Sequence, residues 1–451
     1  MFKGQKLPPH LLSMIKEIEA VVKSIGLDPY DTVFELVDYK QLNEIASYGG
    51  FPSRYPHWRW GMEYERLSKS YTYGLSVIYE MVINNDPCYA YLLQSNNLTT
   101  QKTVIAHVYG HCDFFKHNAW FKKTNRKMLD QMANHATIIK KIIDKEGYHA
   151  VESFIDSCLC LENLIDHYAP FVPEKKDVLS KINKDPCKSD SKSYMDNFVL
   201  SNSTVNKEDE TAKNEVKDPQ QAHISQEKDI LLFLMNHAPL EHWQYKILSI
   251  IRDEAYYFAP QGQTKILNEG WATYWHSKMM TEIFPLKSSE IVDYCDQYSG
   301  IVFNSPMQLN PYKLGLELLR HIEHRWDTGK FGLEYLNCKD FAKKEKWFHE
   351  TNLGKEKLFE VRKIHNDITF IDEFLDEDFC HRTKLFLYDK DPRTGKHIIT
   401  SKDFNKIKKR LLLELTNIGQ PLIKVIDNNF KNRNELLLRH SSEKRELRND
   451  F

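Results

Sequence analysis

Two histidines stand four positions apart in the run Val104-Ile105-Ala106-His107-Val108-Tyr109-Gly110-His111-Cys112-Asp113-Phe114-Phe115. On a helix this spacing places both imidazoles on one face, close enough to reach a single metal ion, which is the geometry of the HExxH zinc helix. Val108 fills the position where that motif carries its glutamate base. Taken alone, the pair reads more readily as two histidines packed in a helical core or capping a turn. A second run, Ile266-Leu267-Asn268-Glu269-Gly270-Trp271-Ala272-Thr273-Tyr274-Trp275-His276, brings a carboxylate and a third imidazole. Glu269 and His276 lie two turns apart and therefore share a helix face. Glu254 falls on or beside the apolar side of a helix expected from Glu241 to Phe258. A buried carboxylate there needs a cation or a donor, so it is either an ion-pair partner or a second acid near a metal.

The elements that must position these residues follow from periodicity and from turn residues. Leu12, Ile15, Ile18, Val21, Val22 and Ile25 follow helical spacing and end at Gly26, and a second helix is expected from Asp28 to Ile45. The aromatic loop Tyr48 to Trp60, rich in Gly and Pro, holds His57 and Arg59 as pocket-lining candidates. Leu75–Asn84 and Cys88–Gln94, rich in Val, Ile, Tyr and Leu around Asn84-Asn85-Asp86-Pro87, read as a β-hairpin carrying Tyr91. One long helix is expected from Trp120 to Lys145 and another from Ala150 to His167, and His135 on the first reads as structural. Pro173 to Lys228 is dominated by Lys, Asp, Ser, Asn and Glu and reads as a solvated insertion. A helix running to Trp326 begins near Asn310, and strands are expected at Ile368–Asp372, Leu385–Tyr388, His397–Thr400 and Pro421–Asp427. The basic amphipathic stretch Phe404–Thr416 reads as a helix.

Composition bounds the function classes. The chain has 451 residues, 41% apolar and 12% aromatic, enough for about two to four domains with a sizeable core. A formal net charge of −1 gives no general attraction to nucleic acid or anionic membrane. No run is long enough to span a bilayer, and Met1 to Pro9 holds no signal-like apolar region, so a cytoplasmic location is expected. The eight cysteines form no CxxC pair, which supports neither a disulfide framework nor a thiolate zinc site. The expected fold is mainly helical with a small β-hairpin or sheet, in four parts. These are 1–172 with the HxxxH helix, the insertion 173–228, a helical part 229–345 with the NEGWA helix, and an α+β module 346–451.

Two resemblances sharpen these readings. The LNEG-aromatic-Ala segment resembles the third-ligand helix of gluzincin aminopeptidases, which implies that Glu269 completes a His107, His111, Glu269 metal site. Zinc is the ion expected for such ligands, and a position stays open for water. In zincin-type peptidases a substrate-aligning edge strand sits beside the metal helix, as Cys88 to Leu93 would here. Beyond that, Gly50-Phe51-Pro52, Pro56-His57-Trp58-Arg59, Asn85 to Tyr91, HVYGHCDFF, Arg252 to Phe258 and LNEGWATYWH resemble the SpoVR (stage V sporulation protein R) family along nearly the whole chain. That resemblance implies a role in spore cortex formation and a serine protein kinase with its companion protein as partners. The expected function is a zincin-like metal-dependent amide hydrolase. In it Glu254 replaces the missing base, His276 acts as a donor or orienting group, and His57, Arg59 and Tyr91 contact substrate. The competing reading is a non-enzymatic regulatory or scaffold protein acting with the kinase.

Overall fold

The computed structural model describes residues 7–72, 80–171, 228–284, 286–303, 309–340, 343–344, 346–391, 393–419, 423–433 and 435–440. The expected insertion over 173–228 lies outside them except for Lys228, as do 75–79 of the expected hairpin and the charged tail after Ser441. The first half of the described chain runs α1 (Pro9–Ser24), β1 (Thr32–Val37), α2 (Tyr39–Ser47), α3 (Trp58–Thr72), β2 (Glu80–Ile83), β3 (Cys88–Leu93) and α4 (Leu98–His117). Next come α5 (Met128–Glu146), α6 (Tyr148–Leu159), α7 (Ile230–His237), α8 (His242–Gln263), α9 (Lys265–Lys278), α10 (Ser288–Ile301), α11 (Pro311–Asp327) and α12 (Gly332–Asn337). The last elements are α13 (Gly354–Ile364), α14 (Asp367–Phe374), α15 (Glu377–Thr383), β4 (Leu387–Lys390), β5 (His397–Ser401), α16 (Phe404–Leu415), β6 (Ile423–Phe430) and β7 (Glu435–His440). The chain is mostly helical with small sheets.

The described residues within 1–165, 229–422 and 440–451 form one compact unit, and those within 166–228 and 423–439 form a second. The second unit holds most of the β6–β7 pair and a short 3-10 turn at Ala169–Phe171. In the first, Leu358, Val361, Phe370 and Phe374 belong to the same buried cluster as Val104, Ile105 and Trp271. The boundary expected at 346 therefore falls within one packed core.

The three-stranded sheet has the order β1-β3-β2, with β3 parallel to β1 and antiparallel to β2. The hairpin is thus present, but β3 is the central strand, and the edge-strand expectation is corrected. The strand that displaces it from the edge was read as the start of a helix. Thr32-Val33-Phe34-Glu35-Leu36-Val37 instead extends beside Cys88 to Leu93, as its β-branched and aromatic content favours. Helix begins only at α2, where Asp38 accepts a hydrogen bond from Gln41 N and Gln41 returns one. Ile368–Asp372 is likewise helical rather than extended, because Asn366 caps α14 and Phe370, Ile371 and Phe374 bury one face of it. The helix expected from Trp120 is broken into a 3-10 turn, Phe121–Lys123, and α5.

Helix α4 is the centre of the unit, buried from Thr99 to Phe115 at every position but Lys102. Helix α9 is pressed between α4 and α11 at two small-residue crossings. A Cβ on Gly110 would stand 2.7 Å from Ala272 Cα, and one on Gly270 would stand 2.5 Å from Gly315 Cα. Only the missing Cβ allows backbones so close. Asp113 then locks the crossing from inside. Its carboxylate accepts from Arg362 Nη1 at 2.5 and 2.6 Å, from Trp271 Nε1 at 2.9 Å and from Asp28 N at 2.9 Å.

The start of α9 is held by another helix. Asp367 accepts from Ile266 N at 2.8 Å and Leu267 N at 2.9 Å, satisfying donors that a helix leaves open at its first turn. Burial pushes its carboxyl up to about 7, against the pull of those two donors. A folded-state value above the unfolded one means stability is fullest below the unfolded pKa and falls as pH rises through 7. Asp367→Asn should therefore be most harmful at low pH. Its deficit against wild type should shrink by roughly 1.4 kcal/mol per unit between about pH 4 and 7. Urea melts of both proteins across that range would refute this by giving a constant gap.

Candidate metal centre

The two histidines stand on the α4 face that meets α9, with ring centroids 4.6 Å apart and planes at 87°. Glu269, at the same crossing, places Oε2 3.4 Å from His111 Nε2 and 3.6 Å from His107 Nε2. One ligand atom from each of the three lies within 4.8 Å of the others. His107 and His111 are buried, and Glu269 Oε2 is buried with no hydrogen bond to any described residue.

What faces the other ring nitrogens matters as much. His111 Nδ1 donates to Asn268 Oδ1 at 2.9 Å, because an amide oxygen can only accept. With Nδ1 so engaged, His111 turns Nε2 towards Glu269, as a donor when that nitrogen carries a proton and as a lone pair when it does not. His107 Nδ1 meets His276 Nδ1 at 2.8 Å. Burial, then the neighbouring His107, His111 and Arg320, hold His276 well below the ordinary histidine range, so it is neutral. Burial on its own would raise the Glu269 carboxyl, but His111 and His107 outweigh it and hold that group well below the usual carboxylate range. The imidazole of His107 stacks on Tyr312 at 6.1 Å, and that of His111 on Phe115 at 6.1 Å.

Of the residues expected at the site, His107, His111, Glu269 and His276 are brought together. Others are engaged elsewhere. Glu254 gives one oxygen to Arg54 Nη1 at 2.8 Å and the other to His135 Nδ1 at 3.0 Å, in a buried ionic cluster. Both its oxygens are engaged there, one by each partner. Asp113, two positions after His111, holds Arg362 and Trp271. His57 Nδ1 accepts from Arg59 N at 3.2 Å, its Nε2 lies 3.3 Å from Asp156, and Arg59 pairs with Glu162 at 3.2 Å. Tyr91 packs with Val37, Leu42 and Phe51, whereas its strand neighbours Ala90 and Leu92 pack with α4. Side chains alternate along a strand, so Tyr91 faces away from the histidine helix. Asn268 and Tyr312 were missed: Asn268 lay beside the predicted ligand, but no spacing rule marks an orienting amide.

The family model described as SpoVR like protein matches residues 6–420. The chain belongs to the SpoVR family. Among curated proteins, this SpoVR chain is 28% identical over 452 residues to the uncharacterized protein YcgB of Escherichia coli (strain K12). That alignment covers 94% of this chain and 84% of the relative. No solved structure matches the SpoVR chain. Among its described residues, no helix is long and apolar enough to cross a membrane.

Proposed function

We propose that His107, His111 and Glu269 hold one divalent metal ion, zinc by ligand type, in a zincin-like hydrolase acting on amide bonds. The observation that carries this is the opposition of two Nε2 atoms and a buried carboxylate oxygen. With the Nδ1 sides engaged by Asn268 and His276, both Nε2 atoms face the Glu269 oxygen across 3.4 to 3.6 Å, and a cation held between them would take the place of ring protons there. A tetrahedral ion with bonds of about 2.0 Å keeps its ligand atoms about 3.3 Å apart, close to the separations found here. When bound, such an ion supplies Lewis acidity to a carbonyl oxygen. The chain's own part is to bind through the trio, to orient the imidazoles through Asn268 and His276, and to enclose them with Tyr312 and Phe115.

A second reading is favoured by one specific observation. Val108 is buried in the apolar core and Glu254 is engaged by Arg54 and His135, which leaves the hydrolase without its expected base. A metal-holding regulatory or scaffold protein needs none. The serine kinase partner, the spore cortex role and the cytoplasmic location implied by the family resemblance belong to this proposal as well. Elemental analysis of purified protein separates the metal readings from a purely structural histidine pair. Wild type should carry close to one equivalent of zinc or a similar ion, and His107→Ala and Glu269→Ala should each lose most of it while keeping the wild-type circular dichroism. An apo wild type that takes up no ion on dialysis against zinc would end the proposal.

A further inference from the structure

Strand β3 turns Cys88, Ala90 and Leu92 to one face, and all three join the buried cluster that also holds Cys112 of α4. Thr32 is the partner of Cys88 across the parallel strands β1 and β3, one strand spacing of about 4.8 Å away on the same face. The Thr32 hydroxyl lies 3.2 Å from Cys112 Sγ. Side chains from β1, β3 and α4 therefore meet at one point, and there the Cys112 thiol hydrogen-bonds Cys88. The two sulfurs are not equivalent. The hydrogen bond from Cys112, then the Asn85 backbone and the Arg126 guanidinium, hold the Cys88 thiol below the ordinary thiol range against the effect of burial. A thiol so placed supplies thiolate, the form that attacks an electrophile. Both cysteines are fully buried, but their cover is thin. Asp86, two positions before Cys88, is exposed and pairs with Arg126 at 3.5 Å. The side chain beside Cys88 thus reaches the surface, and its displacement opens a path for a molecule little larger than water.

We infer that Cys88 and Cys112 are a modification site, a dithiol that closes to a disulfide in reaction with hydrogen peroxide. Cys88 gives its proton to solvent and its sulfur attacks one peroxide oxygen. The S–O bond forms, the O–O bond breaks, and the leaving hydroxide takes up a proton to become water. The Cys112 sulfur then attacks the Cys88 sulfur. The S–S bond forms, the S–O bond breaks, and the hydroxyl leaves with the Cys112 proton as a second water. Two thiols are oxidised, and one peroxide is reduced to two waters. The product ties β3 to α4, and its formation is independent of any metal at the histidines.

The test treats the folded full chain with hydrogen peroxide for increasing times. Remaining thiols are blocked with N-ethylmaleimide in denaturant, and tryptic peptides are read by mass spectrometry. Lys102 separates the two cysteines, so their disulfide appears as a pair of linked peptides. In wild type the linked pair should accumulate with time and vanish on treatment with dithiothreitol. Cys112→Ser should instead leave Cys88 as a sulfenic acid that dimedone labels. Arg126→Met removes the charge beside Cys88 and should slow linkage about threefold for each unit by which the thiol pKa rises. The tenfold smaller thiolate fraction is partly offset by greater nucleophilicity. Exposed Cys295 is the internal standard, and its oxidation rate should not change. Oxidation of Cys295 without any linked pair overturns the proposal. So does linkage that forms only in urea, because the pairing then belongs to the unfolded chain. Linkage at the wild-type rate in Arg126→Met overturns Cys88 as the attacking thiol. Should that variant be insoluble, Cys112→Ser decides the same point, and a Cys88 that dimedone never labels there overturns it.

Discussion

Arg362→Met should destabilise the protein by about 3–5 kcal/mol, the range found when one partner of a buried ion pair is removed. Asp113 is fully buried on α4 and Arg362 is nearly so on α13, and their contact is bidentate onto Nη1 at 2.5 and 2.6 Å. The methionine keeps much of the side-chain volume that stacks near Trp271 and Phe359. The loss is therefore mainly electrostatic, because a carboxylate stays in the core with only Trp271 Nε1 and Asp28 N as donors. Adding Asp113→Asn should recover part of the loss, since no net charge is then buried. Denaturant titrations of the single and double variants measure this. A loss below about 1 kcal/mol for Arg362→Met would mean that Asp113 is not held as a charged group.

Gly110→Ala should be nearly as damaging, and it should also empty the proposed metal centre. The added methyl would lie 2.7 Å from Ala272 Cα and 3.2 Å from Ala272 Cβ, and a backbone atom cannot rotate away. Overpacking of this kind costs about 1–3 kcal/mol or more. Relief requires α4 and α9 to separate where His107 and His111 meet Glu269. The zinc content of the purified variant should therefore fall well below that of wild type at equal soluble yield. Gly61→Ala and Gly300→Ala are matched controls, because a Cβ at either meets nothing within 4 Å. Both should be neutral or stabilising by up to about 1 kcal/mol, since alanine suits a helix better than glycine. A Gly110→Ala protein with full zinc and an unchanged midpoint would show that the crossing is looser than described.

Local features were legible in the chain because they depend on near neighbours. The spacing of His107 and His111 placed them on one helix face, and Asn84-Asn85-Asp86-Pro87 announced the turn between β2 and β3. Long motif blocks carried the family, which depends on residue identity rather than on packing. What the tertiary structure decided concerns which distant side chain occupies each buried polar group. Helical spacing put Glu254 near an apolar face, but only packing could give it Arg54 and His135. Tyr91 had a correct strand, yet its face depends on which neighbours cover each side of the sheet. The strand Thr32–Val37 reads as a helix continuation until β3 offers it hydrogen bonds. The site itself needs His111 to meet Asn268, 157 positions away. Spacing rules reach only a few turns along a chain, and that meeting is set by Gly110, Gly270 and Gly315, whose missing side chains let three helices touch.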